Sequence, residues 1–194
     1  SREEQDAFSV ASHEKAVKAR SAGIFAEEIV PVPLQSKSGT SFVEADEQPR
    51  PDASTEALAK LKPAFRQGGT VTAGNASSLN DGAAAMLIAS EEAVKKYNLK
   101  PIARYVSSGV AGVNPRTMGI GPVAAIPKAL SRAQLRMEDI GLVEINEAFA
   151  AQVLACVQGL KLDESRLNIH GGAIALGHPL GMSGARLVGT LTRS

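Results

Sequence analysis

The amino-acid sequence predicts an α/β protein in which short strands alternate with helices. Three observations support this fold class. Apolar residues follow helical spacing over the first 22 positions, short apolar runs recur at residues 83–89, 102–107 and 142–145, and glycine-rich loops separate these runs from the helical patterns after them. In such folds, functional groups lie on the loops at strand ends.

The composition is that of an ordinary globular protein with a sizeable core. The 194 residues are 44% hydrophobic and 21% charged, and the formal net charge is +1. This balance argues against a nucleic-acid partner or a charged membrane surface. No apolar run approaches the roughly 20 residues that span a bilayer, and no secretory signal is evident. The single cysteine, Cys156, excludes an intrachain disulfide and fits a reducing compartment, so we expect a cytoplasmic protein.

The first third is predicted to be a helix followed by a polar excursion. Ser1 and Glu4 form a capping box, and Gly23 supplies a left-handed C-cap position. We expect an amphipathic helix from Ser1 to Ala22, a proline-punctuated extended segment over 24–34 and a loop over 35–55. Because the chain begins inside a capping box and stops within an apolar-periodic segment, we expect a fragment of a longer protein.

The remaining two thirds alternate strands, loops and helices. Thr70–Thr72 and residues 83–89 are predicted as short buried strands around a turn-rich run, and Ser90 caps a helix that ends near Tyr97. We place a domain boundary near residues 98–101. Beyond it we expect strands at 102–107 and 142–145, helices at 122–135 and 147–158, a glycine-rich turn over 171–184 and a final helix opened by Ser183.

His178 is the strongest candidate for chemistry. Five glycines surround it between positions 171 and 184, so it is the only large polar group in a turn of small residues. A neutral imidazole can donate a hydrogen bond to an oxygen that becomes negative in a transition state. The alternative is a structural histidine between two turns.

Two further segments carry candidate polar groups. Asn146 lies where a predicted strand turns into a helix, so its amide either caps the helix or fixes a water molecule or polar group in an active site. Ser77 ends the run Gly74–Ser77, which offers backbone amides and a hydroxyl; the alternative is a simple turn.

The other titratable candidates are predicted to be structural. Cys156 follows Phe149 and Val153 at helical spacing, so we expect a buried packing residue. We expect His13 on a solvated helix face and His170 as a backbone anchor. No cluster of Cys, His or Asp has metal-ligand spacing, so no metal site is predicted.

In order and separation, several sequence runs resemble the signatures of the thiolase family. These runs are Thr70–Ser77, Asn80–Gly82, Met118–Pro122, Asn146–Ala150 and Gly177–Pro179. The resemblance implies a five-layered αβαβα sandwich of two similar halves, here incomplete. Residues 1–69 would belong to an inserted loop domain, 70–99 to the end of the N-terminal half, and 100–194 to most of the C-terminal half.

The resemblance also implies an acyltransferase that makes or cleaves 3-ketoacyl-coenzyme A, as in fatty-acid β-oxidation or its reverse. Coenzyme A would be a substrate, with no covalently bound cofactor. His178 would bind the thioester oxygen and Asn146 would hold a water molecule. The remaining family positions bind substrate: Ser77 at the pantetheine arm, Met118 and Phe149 in the acyl pocket, and Arg50 near the nucleotide.

This sequence departs from the family in lacking both of its catalytic cysteines. We therefore expect the chain alone to be inactive, and a non-catalytic module that binds coenzyme A thioesters or supports assembly stays open as an alternative. A ketoacyl synthase is a third possibility. The partners implied are acyl-coenzyme A and, in the full-length protein, further copies in a homodimer or homotetramer. Acyl-chain length and reaction direction stay open.

Overall fold

A computed structural model describes all 194 residues. It contains one two-stranded sheet and seven α-helices, with short 3₁₀ helices at Pro115–Ile120, Met137–Asp139 and Glu164–Arg166. The regular elements are α1 (Arg2–Ser21), β1 (Val32–Ser36), β2 (Gly39–Val43), α2 (Thr55–Ala59), α3 (Glu91–Lys96), α4 (Gly121–Ala133), α5 (Ala150–Leu160), α6 (Ala173–Leu176) and α7 (Ser183–Arg193). No helix combines the length and apolar character needed to cross a membrane.

Both ends of α1 follow the prediction. The Ser1 hydroxyl accepts from the backbone N–H of Glu4 at 3.2 Å, and the Glu4 carboxylate accepts from the Ser1 amino group. At the other end Gly23 has φ +72°, and the N–H of Ile24 donates to the Ala19 carbonyl at 3.0 Å. These bonds satisfy helix-end groups that would otherwise lack partners, so the boundaries of α1 are fixed by its own sequence.

The buried face of α1 differs from the prediction. Ala7 is exposed and Phe8 only partly buried, whereas five polar side chains are buried: Gln5, Asp6, Ser9, Ser12 and His13. The prediction that His13 is solvated is therefore wrong. Its Nδ1 accepts from the backbone N–H of Arg50 at 3.1 Å, and burial, with Arg50 nearby, lowers the pKa of its imidazole. Hydrophobic periodicity failed here because α1 docks through hydrogen bonds.

The segment after α1 forms a β-hairpin. β1 and β2 pair antiparallel from Val32 opposite Val43 to Ser36 opposite Gly39, and every residue of both strands is exposed. The extended segment expected over 24–34 thus contributes β1. The loop expected over 35–55 is partly wrong, because β2 lies within it.

Two of the predicted strands are not strands in this structure. Residues 83–89 and 102–107 belong to no ladder, and most of their side chains are exposed, including Leu87 and Ile88 at 81% and 83%. A strand exists only through hydrogen bonds to a neighbouring strand, and none of these 194 residues supplies one. An apolar run can therefore predict strand propensity but not the presence of a partner.

The other two predicted strands are reduced to isolated bridges. Thr72 pairs antiparallel with Pro63, and Val143 pairs parallel with Leu167. Beyond Val143 a side chain continues the pairing: Asn168 Oδ1 accepts from the N–H of Ile145, and its Nδ2 donates to the Ile145 carbonyl, both at 2.9 Å. Through these two bonds Asn168, which has φ +44°, takes the place of a strand neighbour for Ile145.

The predicted later helices are present, with one displaced start, but the glycine-rich turn expected over 171–184 also contains the short helix α6. Ser90 caps α3 by accepting from the N–H of Ala93 at 3.2 Å, and Ser183 opens α7. The helix expected from Glu147 begins only at Ala150, with Phe149 at its N-cap. The hydrophobic core lies beneath it and consists of Ile145, Val153, Cys156 and Leu167. The prediction that Cys156 is a buried packing residue is confirmed.

Candidate active site

The backbone of His178 is held by the loop that follows Ser77. Its N–H donates to the Ser78 carbonyl and to Asn80 Oδ1, each at 3.2 Å. Gly177 precedes it with φ +93°, and a Cβ there would lie 2.4 Å from Asn80 Oδ1. Only glycine combines this backbone conformation with so close an approach.

The imidazole of His178 is partly buried between two side chains. Its Nε2 lies 3.3 Å from Asn146 Nδ2, and its Nδ1 lies 2.6 Å from Ser183 Oγ. The structure thus brings the two predicted catalytic residues together. The alternative role of Asn146 as a helix cap is wrong, because α5 begins four residues later with Phe149 at its N-cap.

Ser183 controls which imidazole nitrogen carries the proton. Its hydroxyl has one proton and two acceptors within reach, His178 Nδ1 at 2.6 Å and the Pro179 carbonyl at 3.1 Å. Donation to Nδ1 leaves the histidine proton on Nε2, which faces Asn146 Nδ2, itself a donor. Donation to Pro179 would place it on Nδ1 instead. The 2.6 Å contact fits both arrangements, but Asn146 Nδ2 can only donate, so its contact with Nε2 is a hydrogen bond only in the second. An Nε2–H for a substrate oxygen requires the first arrangement, with Ser183 donating to Nδ1.

Asn146 carries an unused acceptor near His178 Nε2. Its Oδ1 is buried and has no hydrogen-bond partner among the protein atoms. A buried polar atom without a partner costs about 1–3 kcal/mol. This position therefore suits a bound donor, such as a water molecule or a polar substrate group.

The loop containing Ser77 pairs with the segment that follows Asn146. The N–H and the hydroxyl of Ser77 both donate to the Ala148 carbonyl, at 3.0 and 3.2 Å, and Ala76 forms a bridge with Phe149. Asn75 anchors this loop to α1, since its buried Nδ2 donates to Asp6 Oδ1 at 2.9 Å. Three sequence runs that are distant along the chain thereby meet at one place.

The predicted substrate-binding residues are distributed around this centre. Phe149 is 37% exposed and packs edge-to-face on Phe65, with ring centroids 5.9 Å apart. Met118 is 76% exposed on a 3₁₀ helix that contacts α5 at Gly119, where a Cβ would lie 2.7 Å from the Gln152 side chain. The guanidinium of Arg50 makes no hydrogen bond or ion pair; only its backbone is engaged, its N–H by His13 Nδ1 and its carbonyl by the N–H of Ala53.

Glu147 is the most notable residue that the sequence analysis missed. It is 1% exposed and accepts from Ser12 Oγ at 2.7 Å, Asn168 Nδ2 at 2.9 Å and the N–H of Ile174 at 3.1 Å. Burial raises the pKa of its carboxyl, and the three hydrogen bonds oppose that rise. The available signal was its place directly after Asn146 at a predicted strand end.

A second buried carboxyl lies two residues before Asn146. Glu144 Oε2 accepts from Arg186 Nη1 at 3.3 Å, with the two side chains 3% and 13% exposed. Burial raises the pKa of Glu144 to about 7, against the lowering effect of Arg186. This pair ties α7, which carries the Ser183 hydroxyl, to the segment that carries Asn146.

The remaining candidates lie outside the centre. The thiol of Cys156 lies 3.4 Å from the Gly119 carbonyl, and burial raises its pKa, which disfavours the thiolate a nucleophile would need. The prediction that His170 anchors the backbone is wrong: its ring makes no hydrogen bond and packs edge-on against Phe25, with centroids 6.2 Å apart.

Together these features define an α/β protein in which a histidine and an amide from two loops meet in one partly buried turn. Residues 1–92 match the family model described as thiolase, N-terminal domain, and residues 99–194 match that described as thiolase, C-terminal domain. The chain belongs to the thiolase family.

Curated relatives agree with this assignment. The chain is 56% identical over 190 residues to a β-ketoadipyl-CoA thiolase of Pseudomonas aeruginosa, covering 97% of this chain and 47% of that protein. It is 52% identical over 191 residues to an acetyl-CoA acetyltransferase of Paracoccus denitrificans, covering 98% and 49%. The chain therefore spans about half the length of the curated relatives it matches.

Solved structures confirm the predicted thiolase-like α/β fold. The acetyl-CoA acetyltransferase of Bacillus anthracis superposes with a TM-score of 0.97 at 48% identity, covering all of this chain and 49% of that one. Human mitochondrial 3-ketoacyl-CoA thiolase in complex with CoA gives a TM-score of 0.94 at 50% identity, covering 100% and 48%. The segments at residues 83–89 and 102–107, which lack a strand partner here, therefore belong to a chain whose fold matches solved thiolase structures.

Proposed function

We propose that these residues form the oxygen-polarising part of a thiolase-type acyltransferase, which condenses acyl-coenzyme A thioesters or cleaves 3-ketoacyl-coenzyme A with coenzyme A. The observation that carries the proposal is the contact between His178 Nε2 and Asn146 at 3.3 Å in a partly buried turn. The names of three relatives, two thiolases and an acetyl-CoA acetyltransferase, support the same chemistry.

His178 would stabilise the negative charge that develops during the reaction. With its proton on Nε2, the imidazole donates to the thioester oxygen as a base outside these 194 residues takes a proton from the neighbouring carbon and an enolate forms. Asn146 would orient a water molecule as the second donor to that oxygen. Removing one such donor from an oxyanion site typically costs about 3–4 kcal/mol of transition-state stabilisation.

The surrounding residues would bind the substrate. Ser77 lies on the loop beside Ala148, where its hydroxyl oxygen can still accept a hydrogen bond from the pantetheine arm. Phe149 and Met118 present partly exposed apolar surface for the acyl chain. Arg50, with an exposed and unpaired guanidinium, would meet the phosphate-rich nucleotide end.

The covalent nucleophile would come from residues outside these 194. The only thiol here, that of Cys156, is buried in the core and disfavoured as a thiolate. In the complete enzyme, coenzyme A would act as a substrate, with no covalently bound cofactor. The alternative, a non-catalytic module that binds thioesters, is supported by the same unreactive Cys156 thiol. Unlike the acyltransferase, it predicts no turnover by a longer chain.

We assign residues 1–69 to a loop domain, 70–99 to the end of an N-terminal half and 100–194 to most of a C-terminal half. The exposed apolar side chains of residues 79–88 and 102–110 would be covered by strands of the remaining sheet and, in the complete enzyme, by a homodimer or homotetramer. The proposal includes a cytoplasmic location and a role in β-oxidation.

The test is a thiolysis assay on a chain of thiolase length that contains these residues. His178→Ala should lower kcat for acetoacetyl-coenzyme A about 100-fold or more, because it removes the Nε2 donor. His170→Ala is the matched control, since that ring only packs against Phe25, and it should change kcat by less than about threefold. Equal effects of the two substitutions, or an inactive parent chain, would contradict the proposed function.

A further inference from the structure

We propose that Glu147 is a positioning residue for the His178–Asn146 pair and that Ser12 of α1 orients it. The inference rests on the proposed function, because it assigns Glu147 a part in the same reaction. Glu147 does not contact the imidazole of His178, so its effect would be exerted through the backbone segments it holds.

The carboxylate of Glu147 gathers three donors from three parts of the chain. Its Oε2 accepts from Ser12 Oγ at 2.7 Å and from the N–H of Ile174 at 3.1 Å, and its Oε1 accepts from Asn168 Nδ2 at 2.9 Å. With 1% of the residue exposed, no solvent competes for these bonds. Charge-assisted hydrogen bonds of this kind are about twice as strong as neutral ones.

These bonds connect directly to both members of the pair. Glu147 is bonded through its own backbone to Asn146. Ile174 belongs to α6, which ends at Leu176, two residues before His178. Gly172 allows the approach, since a Cβ there would lie 2.3 Å from the Glu147 carboxyl carbon. One side chain therefore fixes the distance between the loop of Asn146 and the turn of His178.

Ser12 and Asn168 leave the carboxylate a single orientation. Ser12 Oγ donates to Glu147 while accepting from the N–H of Gly172 at 3.1 Å, so it joins α1 to both sides of the contact. The Asn168 amide is fixed by its two bonds to the backbone of Ile145. The amide cannot turn over without losing these bonds, so the group that Asn168 presents to Glu147 is always the donor Nδ2.

The geometry predicts that glutamine cannot replace Glu147. The glutamate and glutamine side chains have nearly the same shape. If the amide oxygen of glutamine takes the place of Oε2, however, its NH₂ group faces the NH₂ group of Asn168. Two donors then oppose each other in a buried site, and one of the three bonds is lost. A shift of about 1 Å between catalytic groups can cost on the order of 100-fold in rate.

The test compares three variants in the thiolase-length chain. Glu147→Gln and Ser12→Ala should lower kcat by about 10- to 100-fold while changing KM for acetoacetyl-coenzyme A by less than about threefold, as expected for a misplaced catalytic pair. Ser9→Ala is the matched control: Ser9 is also buried on α1, but its hydroxyl donates only to the Gln5 carbonyl of the same helix. Its kcat should stay near the parent value.

Amide hydrogen exchange separates this inference from the proposed function. Ser12→Ala should accelerate exchange at Gly172 and Ile174 relative to Ser9→Ala, whether or not the parent chain turns over substrate. An inactive parent overturns the proposed function, and with it a part for Glu147 in that reaction, although altered exchange would still show that Glu147 and Ser12 hold the turn. Unchanged kcat in Glu147→Gln, an equal loss in Ser9→Ala, or unaltered exchange would overturn the positioning role.

Discussion

At the scale of single residues, the site depends on more than the predicted pair of His178 and Asn146. Other polar side chains hold the backbone segments that carry this pair in place. Asn80 receives the N–H of His178, Asn168 substitutes for a strand neighbour of Ile145, and Glu147 joins the two site loops. The sequence analysis identified His178 because glycines isolate it. The supporting residues were missed because their partners lie up to 135 positions away, and the only local signal was that Glu147 directly follows Asn146.

Gly177 offers a direct test at this scale. We expect Gly177→Ala to destabilise the protein by about 2 kcal/mol or more, because φ is +93° and the new Cβ would meet Asn80 at 2.4 Å. Gly184→Ala is the control: Gly184 lies in α7 with open space around its Cα, so alanine should be neutral or stabilise by up to about 1 kcal/mol. Denaturant unfolding measures both, and similar stabilities would show that the close approach is unimportant.

At the scale of elements, the sequence predicted helices well and strands poorly. α1 and α3 begin at capping serines that lie next to their first turns, so local chemistry determines where they start. The segments at 83–89 and 102–107 have strand composition, but no neighbouring strand pairs with them. The buried face of α1 was also mispredicted, because its side chains bury polar groups in hydrogen bonds that hydrophobic periodicity does not report.

The docking of α7 should depend on pH through Glu144. Its carboxyl has a pKa of about 7 in the folded protein and 4.5 ordinarily. Between these values the folded state keeps a proton that the unfolded state has released, so the contribution of Glu144 to the free energy of unfolding should fall as pH rises from about 4.5 to 7. Above pH 7 the carboxyl is charged in both states and the decline ends.

Glu144→Gln removes this titration and provides the comparison. The difference in unfolding free energy between parent and variant should favour the parent more at pH 5 than at pH 7.5, by at most about 1.4 kcal/mol per pH unit across the window. Arg186 and Lys15 lower the pKa of this carboxyl and Glu147 raises it, so both variants are measured at one ionic strength. A difference that stays constant, or grows with pH, would contradict the assignment.

At the scale of the whole molecule, the chain has a small continuous core and a large exposed apolar surface. The core contains four residues around α5, whereas Leu79, Leu87, Tyr105 and Val110 are each at least 75% exposed. The chain also spans about half of the relatives that share its fold. We therefore interpret the site as one part of an enzyme centre whose remaining groups are carried by other residues.

The most direct test of this account is thiolysis of acetoacetyl-coenzyme A by the purified 194-residue chain, measured beside a thiolase-length chain that contains it. The account predicts no turnover by the shorter chain, because its only thiol is buried and held protonated, and turnover that depends on His178 by the longer one. Turnover by the 194-residue chain, or activity of the longer chain that survives His178→Ala unchanged, would contradict it.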